Sequence, residues 1–227
     1  MATPAPKTAR HAVLAGATGL VGSALLARLL ADAGIARVHA LTRRPLPPHD
    51  KLSACPADFD ALDRALASVP PGAETDVYCA LGTTIRTAGS QAAFRRVDHD
   101  YVLALARWAV AAHARRFLVV SALGADANSR NFYNRVKGET EAGLKALPLR
   151  SLVIAQPSLL AGERTEWRLG ERLALAATRL LRAFIPAAVR PVNADDVAAA
   201  LVQAAQQDSP PAALASAAMQ GAGRSDR

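Results

Sequence analysis

The chain has 227 residues, 51% hydrophobic and 20% charged, with a formal net charge of +8. That length favours one domain, the apolar fraction excludes a wholly disordered chain, and 4% aromatics leave Ala, Leu and Val to build the core. Two cysteines exclude a disulfide framework and point to a reducing compartment, the cytoplasm, while the basic balance suits anionic partners without choosing among phosphates, nucleic acid and membrane lipid.

Residues 1–9 are rich in Ala, Thr and Pro and read as a flexible leader. Lys7 and Arg10 precede an apolar stretch, 12–27, in the outline of a secretory signal. Glycines at 16, 19 and 22 interrupt it, and a strand–turn–helix explains them better. No run of about 18 uncharged apolar residues occurs, so no membrane span is expected.

From Arg10 onward short strand-like runs alternate with helical patterns. Strands are expected at His11–Gly16, Arg37–Thr42, Lys51–Cys55, Asp76–Leu81, Phe117–Ser121 and Leu149–Ala155. Helices are expected near 20–33, 60–68, 90–113, 133–146, 166–184 and 194–206. The rhythm predicts an α/β fold: a doubly wound, mostly parallel sheet with helices on both faces. In the 90–113 helix, Phe94, Val97, Tyr101, Leu105, Trp108 and Ala112 recur at three- and four-residue steps and form one apolar stripe. The expected domain runs from 10 to 206, with a small substrate region at about 157–192. Residues 207–227 read as a partly mobile tail.

The segment Gly16-Ala-Thr18-Gly19-Leu20-Val21-Gly22 lies between the first strand and the first helix. Gly16 permits a tight turn, Gly19 lets backbone amides approach a pyrophosphate, and Gly22 lets helix and strand pack closely. The helix N-terminus adds partial positive charge. The second strand ends in Arg43 and Arg44, where a carboxylate would favour the ribose hydroxyl of NAD(H). Guanidiniums bind a 2′-phosphate instead, so NADP(H) is expected over NAD(H). Asp58 can accept a hydrogen bond from adenine. Leu81, Gly82 and Thr83, followed by Thr84, run along the cofactor beyond the fourth strand, and Pro157 meets it beyond the sixth.

The chemical residues are expected beyond the carboxyl ends of the strands. Ser121 ends the fifth strand, and Tyr133 and Lys137 follow at an i, i+4 spacing on one helix face. The ammonium favours the phenolate, making Tyr133 a usable acid or base, and Lys137 can also bond the nicotinamide ribose. Ser121 can orient a substrate carbonyl or hydroxyl.

With these residues in place, the chain resembles the short-chain dehydrogenase/reductase superfamily in its extended or atypical branch. The resemblance rests on the GxxGxxG spacing of Gly16 to Gly22, on Ser121, on Tyr133 with Lys137, on Gln156-Pro157-Ser158 and on Pro191-Val-Asn-Ala-Asp-Asp-Val197, and covers about residues 10–206. The stretch Phe117 to Glu141 is most similar to Tat-interacting-protein-like oxidoreductases and their bacterial relatives. The resemblance implies a Rossmann fold, NADP(H) and a Ser–Tyr–Lys site. It also implies an Asn on the helix after the fourth strand to support the lysine. Here that helix reads Arg95-Arg-Val-Asp98-His-Asp100, so Asp98 or a water stands in.

Neither the five histidines nor the two cysteines sit at metal-ligand spacing, so no metal is expected. Cys79 and Cys55 read as small core residues. Ser121 lacks a Gly-x-Ser-x-Gly elbow, which argues against serine hydrolysis. Arg168, Arg172, Arg179 and Arg182 make a basic face on the 166–184 helix, read as solvated. Glu163, Arg164 and Trp167 can line a substrate pocket, and Arg86, Arg164 and Arg168 suit an anionic small molecule. The expected function is an NADP(H)-dependent oxidoreductase on a small carbonyl or alcohol. The alternatives are an NADPH-binding sensor or interaction module with little turnover, and a sugar-nucleotide epimerase or dehydratase. No nucleic-acid partner is expected, and the chain is a monomer or homodimer.

Overall fold

The computed structural model describes residues 10–67, 69, 74–161, 186 and 189–224. The expected leader and the 166–184 helix, with Glu163, Arg164, Trp167, Arg168, Arg172, Arg179 and Arg182, lie outside the described residues. The strands are β1 (Arg10–Ala15), β2 (Ile35–Thr42), β3 (Leu52–Pro56), β4 (Thr75–Cys79), β5 (Arg116–Val120), β6 (Leu152–Gln156), β7 (Leu160–Ala161), β8 (Val192–Asn193) and β9 (Ala213–Ala215). The helices are α1 (Leu20–Ala31), α2 (Leu62–Leu66), α3 (Ile85–Ala88), α4 (Gln91–Arg95), α5 (Tyr101–Ala111), α6 (Phe132–Ala146), α7 (Ala194–Gln206) and α8 (Ser216–Met219).

Seven strands form one parallel sheet in the order β3-β2-β1-β4-β5-β6-β9, and β7 pairs with β8 apart from it. Parallel strands with both faces covered carry apolar side chains on both, and Ala12 to Ala15 of β1 are fully buried. Alternate residues point to opposite sides. Ala12 and Leu14 pack with α1 and α7, while Val13 and Ala15 join the layer formed by α2, α5 and α6. Leu25 and Leu29 of α1 and Val197 and Leu201 of α7 fill the first layer, each burial contributing about 1.5–3 kcal/mol. Strand order reverses between β1 and β4, which opens a crevice beyond their carboxyl ends. The doubly wound α/β architecture expected from the sequence is the one observed.

Two elements differ from expectation. The 90–113 helix contains a π-helical turn, Arg96–Asp100, between α4 and α5. The wider turn rephases the helix, so Asp98 and Val102 face inward while Val97 and Tyr101 are half-buried. Residues 207–224, expected as a partly mobile tail, fold back onto the sheet. Here β9 pairs with β6, Met219 is fully buried, and the Gly223 amide donates to Asp196 Oδ1 at 3.0 Å. Small residues permit this because their backbone comes close to the strand edge.

Charged groups gather at the amino edge of the sheet. Asp76 is fully buried and accepts from Arg10 Nη1 at 3.0 Å and from Arg115 Nε at 2.8 Å and Nη2 at 2.6 Å. Arg115 also donates to the Ala205 carbonyl at 2.7 Å, which ties α7 to β5. On the neighbouring strands His11 and His39 stack with ring centroids 5.8 Å apart. Burial first, then the charges of His11 and Arg37, hold His39 below the ordinary imidazole value of 6.5.

The folded chain therefore takes up the His39 proton less readily than the unfolded chain. The resulting stability is complete above about pH 6.5 and is lost as the pH falls below it. Urea unfolding over a descending pH series is expected to show this decline, and His39→Gln is expected to flatten it.

Candidate functional site

The turn from β1 into α1 is built from backbone in close contact. Gly16 adopts φ +87°, and a Cβ there would lie 2.4 Å from the Ala80 carbonyl oxygen. A Cβ on Gly22 would lie 1.8 Å from the Gly16 oxygen. Gly19 differs, since a Cβ there would meet only the Gly16 oxygen, at 3.3 Å, and is otherwise open. No side chain caps the N-terminus of α1, and its first turn holds no acid. The Gly19 amide donates to the Gly16 carbonyl at 2.9 Å, and the first turn of α1 beyond it has no side-chain cap, an arrangement suited to a bound anion. Thr18 is exposed beside this turn, Leu20 is half-buried, and Val21 and Gly22 are buried scaffold.

Beyond β2, Arg43 and Arg44 are both exposed. The Thr42 hydroxyl accepts from the Arg44 amide at 3.1 Å and donates to its carbonyl at 2.7 Å, fixing the turn that carries them. Asp58 accepts from the Asp60 amide at 3.0 Å and caps the short 3-10 turn Phe59–Ala61, so one carboxylate oxygen is already engaged. Beyond β4, Leu81 is buried, Gly82 exposed and Thr83 half-buried. Pro157, beyond β6, is buried, and its carbonyl accepts from the Leu123 amide at 2.7 Å, joining the loops after β5 and β6.

The π turn and α6 meet below this loop layer. Asp98 Oδ1 lies 2.8 Å from Lys137 Nζ, and Oδ2 accepts from the Thr83 amide at 2.9 Å. Thr140 Oγ1 donates to the Asp98 carbonyl at 3.0 Å. Asp98 therefore stands in direct contact with the lysine, where the resemblance implied an Asn. Lys137 is buried, and burial acts to lower its pKa. The Asp98 carboxylate, then Tyr133, outweigh that and hold it above the ordinary lysine value. Tyr133 lies one turn toward the helix N-terminus, half-buried against Phe94 with ring centroids 5.6 Å apart.

Ser121 is turned differently from expectation. It is 8% exposed, and its hydroxyl donates to Glu141 Oε1 at 2.6 Å. Its proton is thus directed into the protein rather than toward a substrate. Glu141 also accepts from Gln156 Nε2 at 2.9 and 3.0 Å and from Lys145 Nζ at 3.4 Å. A cavity of about 10 Å³ lies among Asp98, Ser121, Lys137, Thr140 and Glu141. Glu141 was missed as a site residue, whereas Gln156 stood at the end of β6 where the resemblance put it. The signal for Glu141 was its position four residues after Lys137 on the same helix face. Four large apolar side chains, Ile85, Leu123, Leu159 and Val189, are exposed among the described residues, the first three on segments just beyond β4, β5 and β6.

Comparison with known proteins gives a consistent picture. Residues 16–208 match a family model described as NAD(P)H-binding. The chain is 35% identical over 170 residues to "Protein fmp52, mitochondrial" of Emericella nidulans, covering 72% of each. It is 37% identical over 164 residues to "Protein HTATIP2" of Rattus norvegicus, covering 70% of this chain and 66% of that one, in line with the Tat-interacting-protein-like resemblance. The fold is shared with the Bordetella bronchiseptica enzyme WbmG in complex with NAD, with a TM-score of 0.67 and 16% identity over 93% of this chain and 74% of that one. The expectation of a cytoplasmic protein is overturned here, because the fungal relatives are named as mitochondrial. Cysteine usage reports redox state and not the compartment itself.

Asp98→Asn tests the ion pair. Losing the carboxylate leaves burial as the dominant influence on Lys137, whose pKa is expected to fall, and thermal stability is expected to fall with it. NMR titration of the lysine Cε and Hε resonances, beside a melting curve, measures both.

Proposed function

The chain belongs to the NAD(P)H-binding family, and from that premise we propose that it is an NADP(H)-dependent oxidoreductase of short-chain dehydrogenase type, acting on a small carbonyl or alcohol. The observation that carries this reading is the buried Lys137–Asp98 pair one helical turn from Tyr133. The crevice fits the cofactor: the α1 terminus is uncapped, and Gly19 leaves room for close approach. The amides of the Gly16–Val21 turn would hold the pyrophosphate, with Thr18 beside them. Arg43 and Arg44 would hold the 2′-phosphate, Asp58 the adenine, and Leu81, Gly82, Thr83 and Pro157 the nicotinamide half.

When bound, the cofactor supplies or accepts the hydride. Tyr133 gives its phenolic proton to the substrate oxygen in reduction and takes it back in oxidation. Lys137 keeps positive charge beside that phenol and orients the nicotinamide ribose. Asp98 fixes Lys137 and, through the Thr83 amide, the loop that flanks the cofactor. Ser121 acts on the substrate as an acceptor while its own hydroxyl proton is donated in the hydrogen bond to Glu141, which suits an alcohol better than a carbonyl. The exposed Ile85, Leu123 and Leu159 support a substrate with an apolar substituent. Of the arginines that suggested an anionic one, Arg164 and Arg168 lie outside the described residues.

Titration with NADPH and NADH tests the cofactor assignment. NADPH is expected to bind roughly ten- to a hundredfold more tightly, and Arg43→Glu to abolish the difference. NADPH oxidation across a carbonyl panel then tests the chemistry, with Tyr133→Phe expected to lose about a hundredfold or more in kcat. Equal turnover by the two proteins would overturn the role of Tyr133. Tight NADPH binding without turnover of any carbonyl would instead favour a sensor.

A further inference from the structure

The ends of β5 and β6 lie side by side. Val120 pairs with Ala155, and the Ser121 amide donates to the Ala155 carbonyl at 2.7 Å, so Ser121 and Gln156 are neighbours just past that pair. Both side chains reach the same carboxylate on α6. The Ser121 hydroxyl donates to Glu141 Oε1 at 2.6 Å, and Gln156 Nε2 donates to Oε1 at 2.9 Å and to Oε2 at 3.0 Å. Lys145 Nζ lies 3.4 Å from Oε2. Glu141 is buried and accepts on both oxygens, so it returns no proton to either neighbour.

A hydroxyl offers both a proton and lone pairs, and a primary amide offers a donor end and an acceptor end. Glu141 decides which of these is presented. The single Ser121 proton is committed, which leaves lone pairs on Oγ. The Gln156 amide is held with its nitrogen toward the carboxylate, which turns its carbonyl oxygen away. Among the described residues no group donates to either oxygen. Ser121 keeps 8% exposure and Gln156 is half-buried, both at the carboxyl edge of the sheet. The reacting oxygen of a substrate cannot answer two acceptors. A carbonyl has lone pairs only, and the one proton of an alcohol is the proton that Tyr133 takes. A second hydroxyl on the next carbon can answer them, because it keeps its proton throughout. An analogue without that hydroxyl strips water from the two oxygens and gives them no partner.

We propose, on the oxidoreductase reading above, that Glu141 is a positioning residue that makes Ser121 and Gln156 a pair of acceptors, and that this pair selects α-hydroxy ketones in reduction and vicinal diols in oxidation. In reduction, hydride adds to the carbonyl carbon as the C=O π bond opens, and the carbonyl oxygen takes the Tyr133 proton, which solvent replaces. An α-hydroxy ketone, NADPH and one proton become a vicinal diol and NADP+. The exposed Ile85, Leu123 and Leu159 suit an alkyl or aryl group on the other side of the carbonyl.

The test compares α-hydroxyacetophenone with α-fluoroacetophenone, and hydroxyacetone with fluoroacetone, by NADPH oxidation. Fluorine is close to hydroxyl in size and electron withdrawal but carries no proton. The wild type is expected to favour a hydroxy ketone over its fluoro analogue roughly tenfold or more in kcat/KM. Titration in the presence of NADP+ with phenylethanediol, and with the analogue whose terminal hydroxyl is fluorine, is expected to show the same preference in Kd. Ser121→Ala and Glu141→Gln are each expected to cut the kcat/KM ratio about fivefold, since each loses one acceptor. In Glu141→Gln the new amide nitrogen faces either Ser121, whose proton then turns outward, or Gln156, whose amide then flips. Damage to the fold alone lowers both substrates together and leaves the ratio in place. Ser121→Ala decides the matter if Glu141→Gln does not fold. A wild-type ratio near one, a ratio that both variants keep, or reduction of other carbonyls but of neither hydroxy ketone overturns the selection. Variants that weaken NADPH binding and keep the ratio place the donor on the nicotinamide carboxamide, and that too overturns it. In each of these cases a Tyr133→Phe protein without turnover leaves the oxidoreductase reading standing. If Tyr133→Phe keeps full turnover, or the wild type reduces no carbonyl, that reading fails and the selection with it.

Discussion

A carboxylate and an ammonium, both buried and 2.8 Å apart, connect three separate parts of this chain. Asp98 comes from a π turn, Lys137 from the middle of α6, and the second carboxylate oxygen is bound by the Thr83 amide beyond β4. Removing either charge would leave the other desolvated without a counterion, which is why such pairs act as an all-or-none constraint. The pair fixes the helix that carries Tyr133 against the loop that flanks the crevice. Gly138 lets this happen at close range, since a Cβ there would lie 2.1 Å from the Ala127 amide nitrogen.

The two edges of the sheet divide the charged groups by task. At the amino edge, Arg10, Arg115 and Asp76 are bound to one another and to the end of α7, with little left to offer a ligand. At the carboxyl edge, the α1 terminus has no side-chain cap, and Arg43 and Arg44 are exposed. The parallel sheet makes this division possible, because every strand ends on the same side and every following loop reaches the same crevice.

Ser121 and Glu141 show how one hydrogen bond redirects a residue. The serine stands at the end of β5, where the spacing to Tyr133 placed it, yet its proton goes to a carboxylate from the next helix. The same helix face carries Lys137, so the buried ammonium and the buried carboxylate share one layer between α5, α6 and the sheet.

Much was legible in the residues alone. The alternating strand and helix patterns, the glycines at 16, 19 and 22 and the shared helix of Tyr133 and Lys137 are local signals, set by backbone sterics and by helical spacing, and among the described residues most strands and helices lie within a few residues of the expected bounds. The inward turn of Asp98, the Ser121–Glu141 bond and the return of β9 to the sheet were not legible. A π turn changes the helix phase without a composition signal, and a hydrogen bond between residues twenty apart depends on how two elements pack. Sequence spacing determined which groups could meet on one element. Only the packing of α4, α5 and α6 against the sheet decided which groups did meet across elements, because burial requires each charge and each polar atom to find a partner wherever the fold brings one.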